Sequence, residues 1–567
     1  MVSSPTSQQG SAAQRRRDDE AGRWLASLTA DEFTATLARA APADRPALWR
    51  GRLRFDRESF CRAMWPERFG LPFNALHREL FALQEQGSWR DRPRDVQQAV
   101  AAPRGFAKST LESFAGLAHG IVYDLEAYLV VLSATQRLSL SLSRDLRNAF
   151  RAKDTPFSRL YGPFRVTGGV GEWEVSVRGR PSIGVLARSF GTEVRGAKHP
   201  ERGIRPTRVV IDDGEKKDRV RNPDQRALWW EALTKDVLKL APRQGGTVFS
   251  VVGTILHPDS MLARLMSDAG WKSQRWKAIV EWPKRMDLWE RCRAIWVDLS
   301  LGKRRRDAAL MFYRANRTAM DEGAKLLDPA AKSLFDLFEI LWSQGLASFL
   351  SELQNEPVDP TSQIFWSERF SRFREVETPE GTVLEVLGVD GQVVRRVKVR
   401  DLRLHGRWDP ATGTAFGDYA CIAIVGRDQH GYSYVLDVWM RRAKPSEQLA
   451  AAWTLAERRG LRRMHVEGVG FQALVAEPYM REREARREAG RFWQLQIEPV
   501  PETENKELRI STLEPDCTNG WISFGANVPR EALEQFDQFP SGSHDDAPDA
   551  VHGAWKHLGG RPIGMRD

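Results

Sequence analysis

A lysine followed by two hydroxyl residues, Lys108-Ser109-Thr110, stands where a strand-like segment gives way to a helical pattern. Residues 95–101 have the apolar pattern of a short strand, and the loop that follows contains Gly105. A helix N-terminus offers free N–H groups and a positive dipole end to phosphate, while a lysine reaches the β- and γ-phosphates and a hydroxyl ligates Mg²⁺. The order strand, loop, helix therefore predicts a nucleotide phosphate-binding loop.

The glycines of this loop depart from the usual pattern. In G-x-x-x-x-G-K-[ST] they would fall at positions 102 and 107, and this chain has Ala102 and Ala107 there. An ordinary strand-loop-helix turn is the competing interpretation, and the effect of the two alanines on nucleotide affinity is left open by the sequence.

Two adjacent carboxylates follow the next strongly β-branched segment. Residues 209–211 predict a buried strand that ends at Asp212 and Asp213, with Glu215 just beyond. A magnesium-nucleotide site needs one carboxylate for the metal and another to activate water, both at the carboxyl end of a strand beside the phosphate loop. A solvated acidic turn explains the acids but not their pairing with an upstream Lys-Ser-Thr loop. Together the two segments predict nucleotide hydrolysis.

Further strands predict the sheet that would hold these groups. Residues 127–135 and 245–254 are apolar runs that alternate with helical patterns, which indicates an α/β fold with a mainly parallel sheet. Thr254 would then lie at the same sheet edge as Lys108 and Asp212. In the loop over residues 190–205, Arg195 would contact either the γ-phosphate or the DNA backbone, and the sequence does not separate these roles.

From His405 onward the pattern changes to three strands, a helix, a strand and a helix. Asp409 ends the first strand, Glu467 lies on the fourth, and a late helix begins near Asp546 and Asp549. This order predicts a ribonuclease H-like fold, whose chemistry needs three carboxylates around two divalent ions about 4 Å apart. Acids at a helix start are also favoured by the helix dipole alone. Either Asp546 or Asp549 would be the third acid.

Composition restricts the partners. The formal charge is +10, which favours a polyanionic partner because a basic surface releases counterions from phosphates. The four cysteines are far apart, so we expect a reducing compartment with neither a disulfide framework nor a zinc–thiolate site. We also expect no signal peptide and no transmembrane span, because the N-terminus is polar and no long apolar run occurs.

We expect three regions along the 567 residues. Residues 1–50 would form a tail, disordered to about residue 20, and a helical lead-in. Residues 51–360 would form a P-loop ATPase domain that includes a helical lid or linker over about 255–355. Residues 361–567 would form the nuclease domain, since two prolines within 352–363 break the periodicity. Asp390-Gly391 predicts a hairpin near its start.

Taken in order, several segments resemble the large subunit of tailed-phage terminases, the motors that package DNA into a procapsid. The resemblance covers roughly residues 73–556 and is carried by PRGFAKST, VLSATQR, EVRGAKHPERGIRPTRVVIDDGEK, SVVGT, SELQNEPVDP, VEGVGFQALV and FPSGSHDDAPDA. It implies an N-terminal P-loop ATPase and a C-terminal ribonuclease H-like nuclease that cuts concatemeric genomes.

The resemblance also implies roles for individual residues. The loop residues Gly105, Lys108, Ser109 and Thr110 would bind the phosphates of ATP and Mg²⁺, and Arg104 would contact the γ-phosphate. Asp212 would hold the metal and Asp213 would orient water, but the family usually has Glu there, so Glu215 is an alternative. Thr254 lies in the segment that couples hydrolysis to movement. Asp409, Glu467 and Asp549, with Asp546 replacing or joining the last, would bind two Mg²⁺ or Mn²⁺ ions.

The implied partners are double-stranded DNA, a portal protein and a small terminase subunit, with a homo-oligomeric ring on the portal and no membrane. The implied location is the host cytoplasm and not the mature virion. Two rival hypotheses are a helicase-like or repair ATPase whose C-terminal half only binds nucleic acid, and a packaging adaptor with decayed active sites. The altered phosphate loop is the feature that favours the adaptor.

Overall fold

A computed structural model of the chain describes residues 5–92, 94–192, 194–358, 362–388, 390–411, 419–468, 471–502 and 504–560. The chain forms two compact units. The first comprises Met1–Val280, Lys325–Ser333 and Leu350–Pro357, and the second comprises Glu281–Ala324, Leu334–Phe349 and Val358–Asp567. Most of the helices predicted as a lid thus fall in the second unit, and the functional boundary near residue 360 stays a prediction.

The first unit contains an eight-stranded sheet. The strands of this unit are β1 (Val96–Ala101), β2 (Tyr128–Ser133), β3 (Phe164–Gly169), β4 (Glu172–Val177), β5 (Ile183–Ser189), β6 (Arg208–Asp212), β7 (Val248–Gly253) and β8 (Lys272–Arg275). Their order is β3-β4-β5-β2-β6-β7-β1-β8, and all neighbours from β5 to β8 are parallel. Every residue of β2, β6 and β7 is buried, as expected for parallel strands covered on both faces. The predicted mainly parallel sheet is confirmed.

Helices flank this sheet and precede it. They are α1 (Pro5–Ser27), α2 (Ala30–Arg39), α3 (Arg45–Phe55), α4 (Arg57–Met64), α5 (Ala75–Gln84), α6 (Leu117–Val122), α7 (Gln136–Arg151), α8 (Pro156–Tyr161), α9 (Pro223–Glu231) and α10 (Met261–Ser267), with π-helical turns at Thr110–Gly116 and Ala232–Val237. The expected disorder to about residue 20 is wrong from Pro5 onward, because α1 covers it. Its glutamines, alanines and arginines are good helix formers.

The second unit contains a nine-stranded mixed sheet of order β13-β12-β11-β19-β16-β15-β14-β17-β18. Its strands are β11 (Ser371–Thr378), β12 (Gly381–Leu387), β13 (Val393–Lys398), β14 (Arg403–Asp409), β15 (Ala420–Arg427), β16 (Ser433–Arg441), β17 (Arg463–Glu467), β18 (Gln496–Val500) and β19 (Ile522–Gly525). A separate ribbon pairs β9 (Ile279–Glu281) with β10 (Lys325–Leu326), and all of its residues except Glu281 belong to the first unit. The predicted hairpin joins β12 to β13 through Gly391, whose φ is 78°.

Ten helices with regular α-helical pattern are described in the later part of the chain. They are α11 (Met286–Val297), α12 (Arg305–Met320), α13 (Leu334–Gln344), α14 (Leu346–Gln354), α15 (Pro445–Arg459), α16 (Phe471–Glu488), α17 (Lys506–Ser511), α18 (Glu514–Thr518), α19 (Arg530–Gln538) and α20 (Asp546–His557). β9 and α14 each carry residues of both units. Of the helices over the described residues, none has the length and apolar character needed to span a bilayer.

Trp521 explains why α11 and α12 belong to the second unit. Its indole Nε1 donates to the carbonyl of Val297, at 2.7 Å, and its ring lies 5.5 Å from that of Trp296. The Arg305 guanidinium lies 5.4 Å from both rings. Because an aromatic cluster of this size buries a large apolar area, it fixes these helices on the strand β19 that follows Trp521.

Candidate nucleotide and metal sites

The loop after β1 takes the shape of a phosphate loop without its usual glycines. It leaves the strand at Ala101 and reaches the π-helical turn at Thr110, with left-handed backbone at Gly105 (φ 79°) and at Ala107 (φ 56°). Ala107 thus adopts the conformation for which glycine is preferred, at a cost of roughly 1–2 kcal/mol. The backbone at position 107 is therefore left-handed even though the residue there is alanine and not glycine.

Lys108 and Asp212 meet at the carboxyl ends of β1, β6 and β7, as the parallel sheet predicts. The Lys108 ammonium is buried and donates to the Thr254 hydroxyl at 3.3 Å, and it lies 3.5 Å from Asp213 Oδ1. The Ser109 hydroxyl donates to Asp212 Oδ1 at 2.8 Å. The structure therefore brings all of these predicted residues together.

Ser113 is a contact that the sequence reasoning missed. Its hydroxyl donates to Asp212 Oδ2 at 2.5 Å, so that both carboxylate oxygens of Asp212 have a serine partner. The signal was available, because Ser113 follows Ser109 by four residues, which places both hydroxyls on one helix face. Burial, followed by the charge of Asp213, raises the pKa of Asp212 to about 6.

The two candidates for the water-activating acid have different surroundings. Asp213 is half-exposed and faces Lys108. Glu215 is buried, and its carboxylate accepts from the backbone N–H groups of Met261 at 2.8 Å and Leu262 at 3.4 Å. It therefore caps the start of α10. Burial raises the pKa of Glu215 to about 7.

A cavity of about 210 Å³ opens beside the loop, lined by Arg104, Asp213, Glu215, Thr254 and Glu352 among others. The Arg104 side chain is largely exposed, and its guanidinium lies 3.8 Å from Glu352 Oε2. Glu352 also accepts from Lys217 at 3.0 Å. Sequence reasoning missed this contact, because Glu352 lies in the segment that only indicated a domain boundary.

Arg195 is held elsewhere in the first unit. Its guanidinium is paired with the Asp236 carboxylate and remains largely exposed. Thr110 begins the π-helical turn directly after the loop and is half-buried.

The second unit brings three carboxylates together through sheet register. β14 and β17 are parallel, with Trp408 opposite Val466, so that the next residues, Asp409 and Glu467, end neighbouring strands at one edge. α20 packs across β14 and β15 and carries Asp549 in its first turn. Carboxylate oxygens of Asp409, Glu467 and Asp549 all lie within 4.8 Å of one another.

Three cations that sequence reasoning missed partly balance these acids. Arg509 donates to Asp549 at 2.5 Å, and Lys506 lies 3.3 Å from the same carboxylate. Arg407, from β14 itself, donates to Glu467 at 3.2 Å. The two arginines are almost completely buried. Lys506 and Arg509 are three residues apart on α17, which places them on one helix face, but nothing in the sequence links that face to the acids.

The two arginines also pair with Glu502, at 3.4 and 3.0 Å, and Lys506 pairs with Asp545, at 2.8 Å, so these cations do not neutralise the three acids on their own. The excess of negative charge contributes to the pKa values of the site. Burial, followed by the charge of Asp549, raises the pKa of Asp409 to about 8. Burial also raises the pKa of Asp549 to about 6, although Lys506 and Arg509 act in the opposite direction. Such shifts are expected where carboxylates share a desolvated space, and a divalent cation would remove them. Oxygen donors of this kind suit Mg²⁺ or Mn²⁺.

Asp546 lies nearby but in a different setting. It is buried at the start of α20, and Gln535 Nε2 donates to its Oδ2 at 3.4 Å. His544 Nδ1 lies 3.8 Å from the same oxygen. Helix register therefore directs Asp549, one turn later, toward Asp409 and Glu467. A metal-binding role for Asp546 stays a prediction.

Residues 406–557 match the family model described as the Terminase RNaseH-like domain. This segment is similar to terminase RNase H-like domains. The match runs from β14 to the last residue of α20 and includes all three converging carboxylates. It confirms the predicted resemblance to terminase large subunits, and with the parallel-rich first sheet it confirms the predicted fold class.

Solved terminase structures show a more distant likeness. A large terminase from a thermophilic bacteriophage is 9% identical, with a TM-score of 0.45 over 86% of this chain and 99% of that chain. The HK97 bacteriophage large terminase is 12% identical, with a TM-score of 0.26 over 85% of this chain and 95% of that chain. The human cytomegalovirus terminase nuclease domain is 16% identical, with a TM-score of 0.22 over 27% of this chain and 82% of that chain. Scores this low do not by themselves establish a shared fold. Comparison with curated proteins gives no match.

The raised pKa of Asp409 predicts how stability depends on pH without metal. The unfolded chain loses this proton near pH ~3.9, whereas the folded chain keeps it to about pH 8. Stability should therefore fall as pH rises from about 4 to about 8 and stop falling above that range. Relative to Asp409→Asn, which has no charge to bury, the melting temperature of the metal-free protein should decline across this window. Parallel curves for the two proteins would contradict the buried like-charge arrangement.

Proposed function

We propose that this chain is a DNA-packaging motor subunit. It would hydrolyse ATP to translocate double-stranded DNA into a procapsid and cut concatemeric DNA with a two-metal endonuclease site. The observation that carries the proposal is the convergence of Asp409, Glu467 and Asp549 inside the terminase RNase H-like domain. The meeting of Lys108 with the Asp212-Asp213 strand end supports the ATPase activity.

In the ATPase site, the buried Lys108 ammonium would neutralise the β- and γ-phosphates, and backbone N–H groups between Gly105 and Thr110 would bind them. The Ser109 hydroxyl and the Asp212 carboxylate, in contact at 2.8 Å, form an oxygen pair suited to Mg²⁺. Bound there, the ion would neutralise charge on the nucleotide.

Asp213 is our choice for orienting the attacking water. It faces Lys108, whereas the Glu215 carboxylate accepts a hydrogen bond from the first backbone N–H of α10. Arg104 lines the cavity and is the candidate for contact with the γ-phosphate, with Arg195 as the alternative. Thr254 accepts a hydrogen bond from Lys108 and directly follows β7. Loss of the γ-phosphate would therefore alter this hydrogen bond and could couple hydrolysis to movement of the segment after β7.

In the nuclease site, Asp409, Glu467 and Asp549 would hold two Mg²⁺ or Mn²⁺ ions. When bound, such ions lower the pKa of a water ligand and stabilise the leaving oxygen. Arg407 and Arg509 orient Glu467 and Asp549 through the contacts described above, so the carboxylates are in place before a metal binds. The ion pair between Lys506 and Asp549 would break once bound metal ions neutralise the Asp549 carboxylate.

The proposed partners are double-stranded DNA, a portal protein and a small terminase subunit, with the chain acting as a ring on the portal in the host cytoplasm. The charge of +10 supports binding to DNA. The three converging carboxylates argue against both rival hypotheses, a repair or helicase-like ATPase without nuclease activity and a decayed adaptor, since neither needs three acids held this close together.

The first test removes the phosphate-binding ammonium. Lys108→Ala should lower ATP turnover by about 100-fold or more and abolish DNA translocation, because no other group replaces the charge beside the γ-phosphate. Cleavage of naked DNA should persist. Lys235→Ala, at an exposed lysine paired with Glu231, is the matched control and should turn over ATP normally. Normal turnover by Lys108→Ala would refute the phosphate-loop assignment.

The second test separates the two candidate acids. Asp213→Asn should bind ATP but hydrolyse it about 10²–10⁴-fold more slowly, as expected when a positioned base is lost. Glu215→Gln should keep most of the turnover and lower the melting temperature, because it weakens the start of α10. Nucleotide binding, turnover and melting are measured on both. Normal hydrolysis by Asp213→Asn with an inactive Glu215→Gln would reverse the assignment.

The third test addresses the nuclease acids. Asp409→Asn, Glu467→Gln and Asp549→Asn should each lose plasmid cleavage in Mn²⁺ while ATP turnover is kept, because each substitution removes charge that holds the metals. Asp546→Asn should still cut. Asp401→Asn, at an exposed acid, is the control. If all three variants of the first group still cut, the nuclease assignment fails, and if only Asp546→Asn and not Asp549→Asn is inactive, Asp546 is the third ligand.

A further inference from the structure

Three histidines form a second cluster in the nuclease unit, away from the carboxylates. His405 on β14, His465 on β17 and His557 at the end of α20 have ring centroids 4.6, 4.8 and 4.2 Å apart, pair by pair. One ring nitrogen from each lies within 4.8 Å of the other two. The sequence reasoning did not single out this set, because the three histidines are far apart in the chain.

The same three elements carry the histidines and the acids. His405 precedes Asp409 by four residues on β14, and His465 precedes Glu467 by two on β17. Even spacing keeps strand residues on one face of the sheet. The histidines therefore form a second layer on the face that carries the acids.

Arg407 separates the two layers. It lies between His405 and Asp409 on β14 and directs its guanidinium to Glu467. α20 passes over it at Gly553, where any Cβ would come within 2.7–2.9 Å of the Arg407 side chain. The histidine cluster is thus a distinct site and not an extension of the carboxylate site.

The hydrogen bonds of the rings leave nitrogens free to bind a ligand. His465 Nε2 faces Glu498 Oε2 at 3.3 Å, and its Nδ1 is buried with no hydrogen-bond partner among the described residues. His405 Nε2 is likewise buried and unpaired within the described part of the chain. His557 Nδ1 donates to the Gly553 carbonyl at 2.8 Å, which leaves the lone pair on Nε2.

Two unpaired, buried ring nitrogens in one cluster need an explanation. Each carries a desolvation penalty that ordinary packing of imidazole rings does not remove. A metal ion that accepts the lone pairs would remove it. The carboxylate of Glu498 on the far nitrogen of His465 is the usual outer partner of a metal-binding imidazole, since it fixes the tautomer and the ring orientation.

The donor set selects the class of metal. Three imidazoles without a carboxylate suit Zn²⁺ or another late divalent transition metal, and they are poor ligands for Mg²⁺ or Ca²⁺. Tetrahedral zinc would hold the nitrogens roughly 3.4 Å from one another. The His405 and His557 rings are stacked, with 5° between their planes, so one of them would rotate to direct its in-plane lone pair at the ion. His557 is exposed, which opens the cluster to an ion from solvent and leaves a fourth ligand position for water.

We propose that His405, His465 and His557 bind one divalent transition metal ion of the zinc type, in a layer below the nuclease carboxylates. The ion ties the C-terminal end of α20 to β14 and β17. It thereby holds the helix that carries Asp549 against the strands that carry Asp409 and Glu467. This site does not depend on the proposed nuclease activity, because its metal and its ligands are different.

Spectroscopy with Co²⁺ tests the site directly. The full chain, stripped of metal with a chelator, is titrated with Co²⁺ and then with Zn²⁺. We expect about one equivalent of Co²⁺ to give the strong visible absorption of a tetrahedral nitrogen site, which Zn²⁺ then removes. The band should be lost in His557→Gln and in His465→Gln. It should be retained in His430→Gln, a matched variant of an exposed histidine, and in Asp409→Asn.

Two further measurements make the result decisive. Glu498→Gln should weaken Co²⁺ binding about 10–100-fold without removing the band. Zn²⁺ should raise the melting temperature of the wild type and of His430→Gln but not of His557→Gln, whose fold is checked by circular dichroism. No tetrahedral band in a folded wild-type chain would overturn the proposal. So would a band that survives in both histidine variants or that disappears in Asp409→Asn.

Discussion

Like charges held close together in a desolvated space are the constraint on which the second unit depends. Asp409, Glu467 and Asp549 converge to within 4.8 Å, and burial raises the pKa of Asp409 to about 8. An arrangement of this kind is unfavourable without cations, and it persists only because the surrounding structure imposes it. Parallel pairing of β14 with β17 fixes two of the acids, and the packing of α20 across β14 fixes the third.

The buried arginines show how the fold tolerates that constraint. Arg407 donates to Glu467, and Arg509 donates to both Asp549 and Glu467. Gly553 leaves room for the Arg407 side chain beneath α20. These contacts orient two carboxylates, but no arginine of the described residues forms an ion pair with Asp409. The remaining charge is what divalent cations would neutralise, so the same repulsion that weakens the metal-free fold favours metal binding.

The first unit also holds carboxylates close together, but there a lysine and two serines contact them directly. Lys108 reaches the acidic strand end directly, and two serines hold Asp212. The strain here lies in the backbone, at Ala107, whose left-handed conformation is imposed by the turn into the helix. A loop of this shape therefore does not require the glycines that its sequence pattern would lead one to demand.

Local patterns predicted the strands and the acids at their ends, because β-branched runs and strand-terminal carboxylates are visible in short windows. Asp409 and Glu467 followed from such windows. The roles that depend on distant contacts did not. Glu215 caps α10, whose first residue lies 46 positions later, and Arg509 meets Asp549 only through tertiary packing. That Asp549 converges with Asp409 and Glu467 depends on the register of α20, which the sequence does not show. The helix α1 was missed because its composition also fits a disordered tail.

We propose that the three carboxylates form one two-metal site, and anomalous diffraction from crystals soaked in Mn²⁺ would locate the ions. Such a site gives two peaks about 4 Å apart, both within ligand distance of Asp409, with Glu467 and Asp549 completing the two coordination shells. An absence of peaks among the three carboxylates at saturating Mn²⁺, or a single ion bound by Asp546 instead of Asp549, would contradict it.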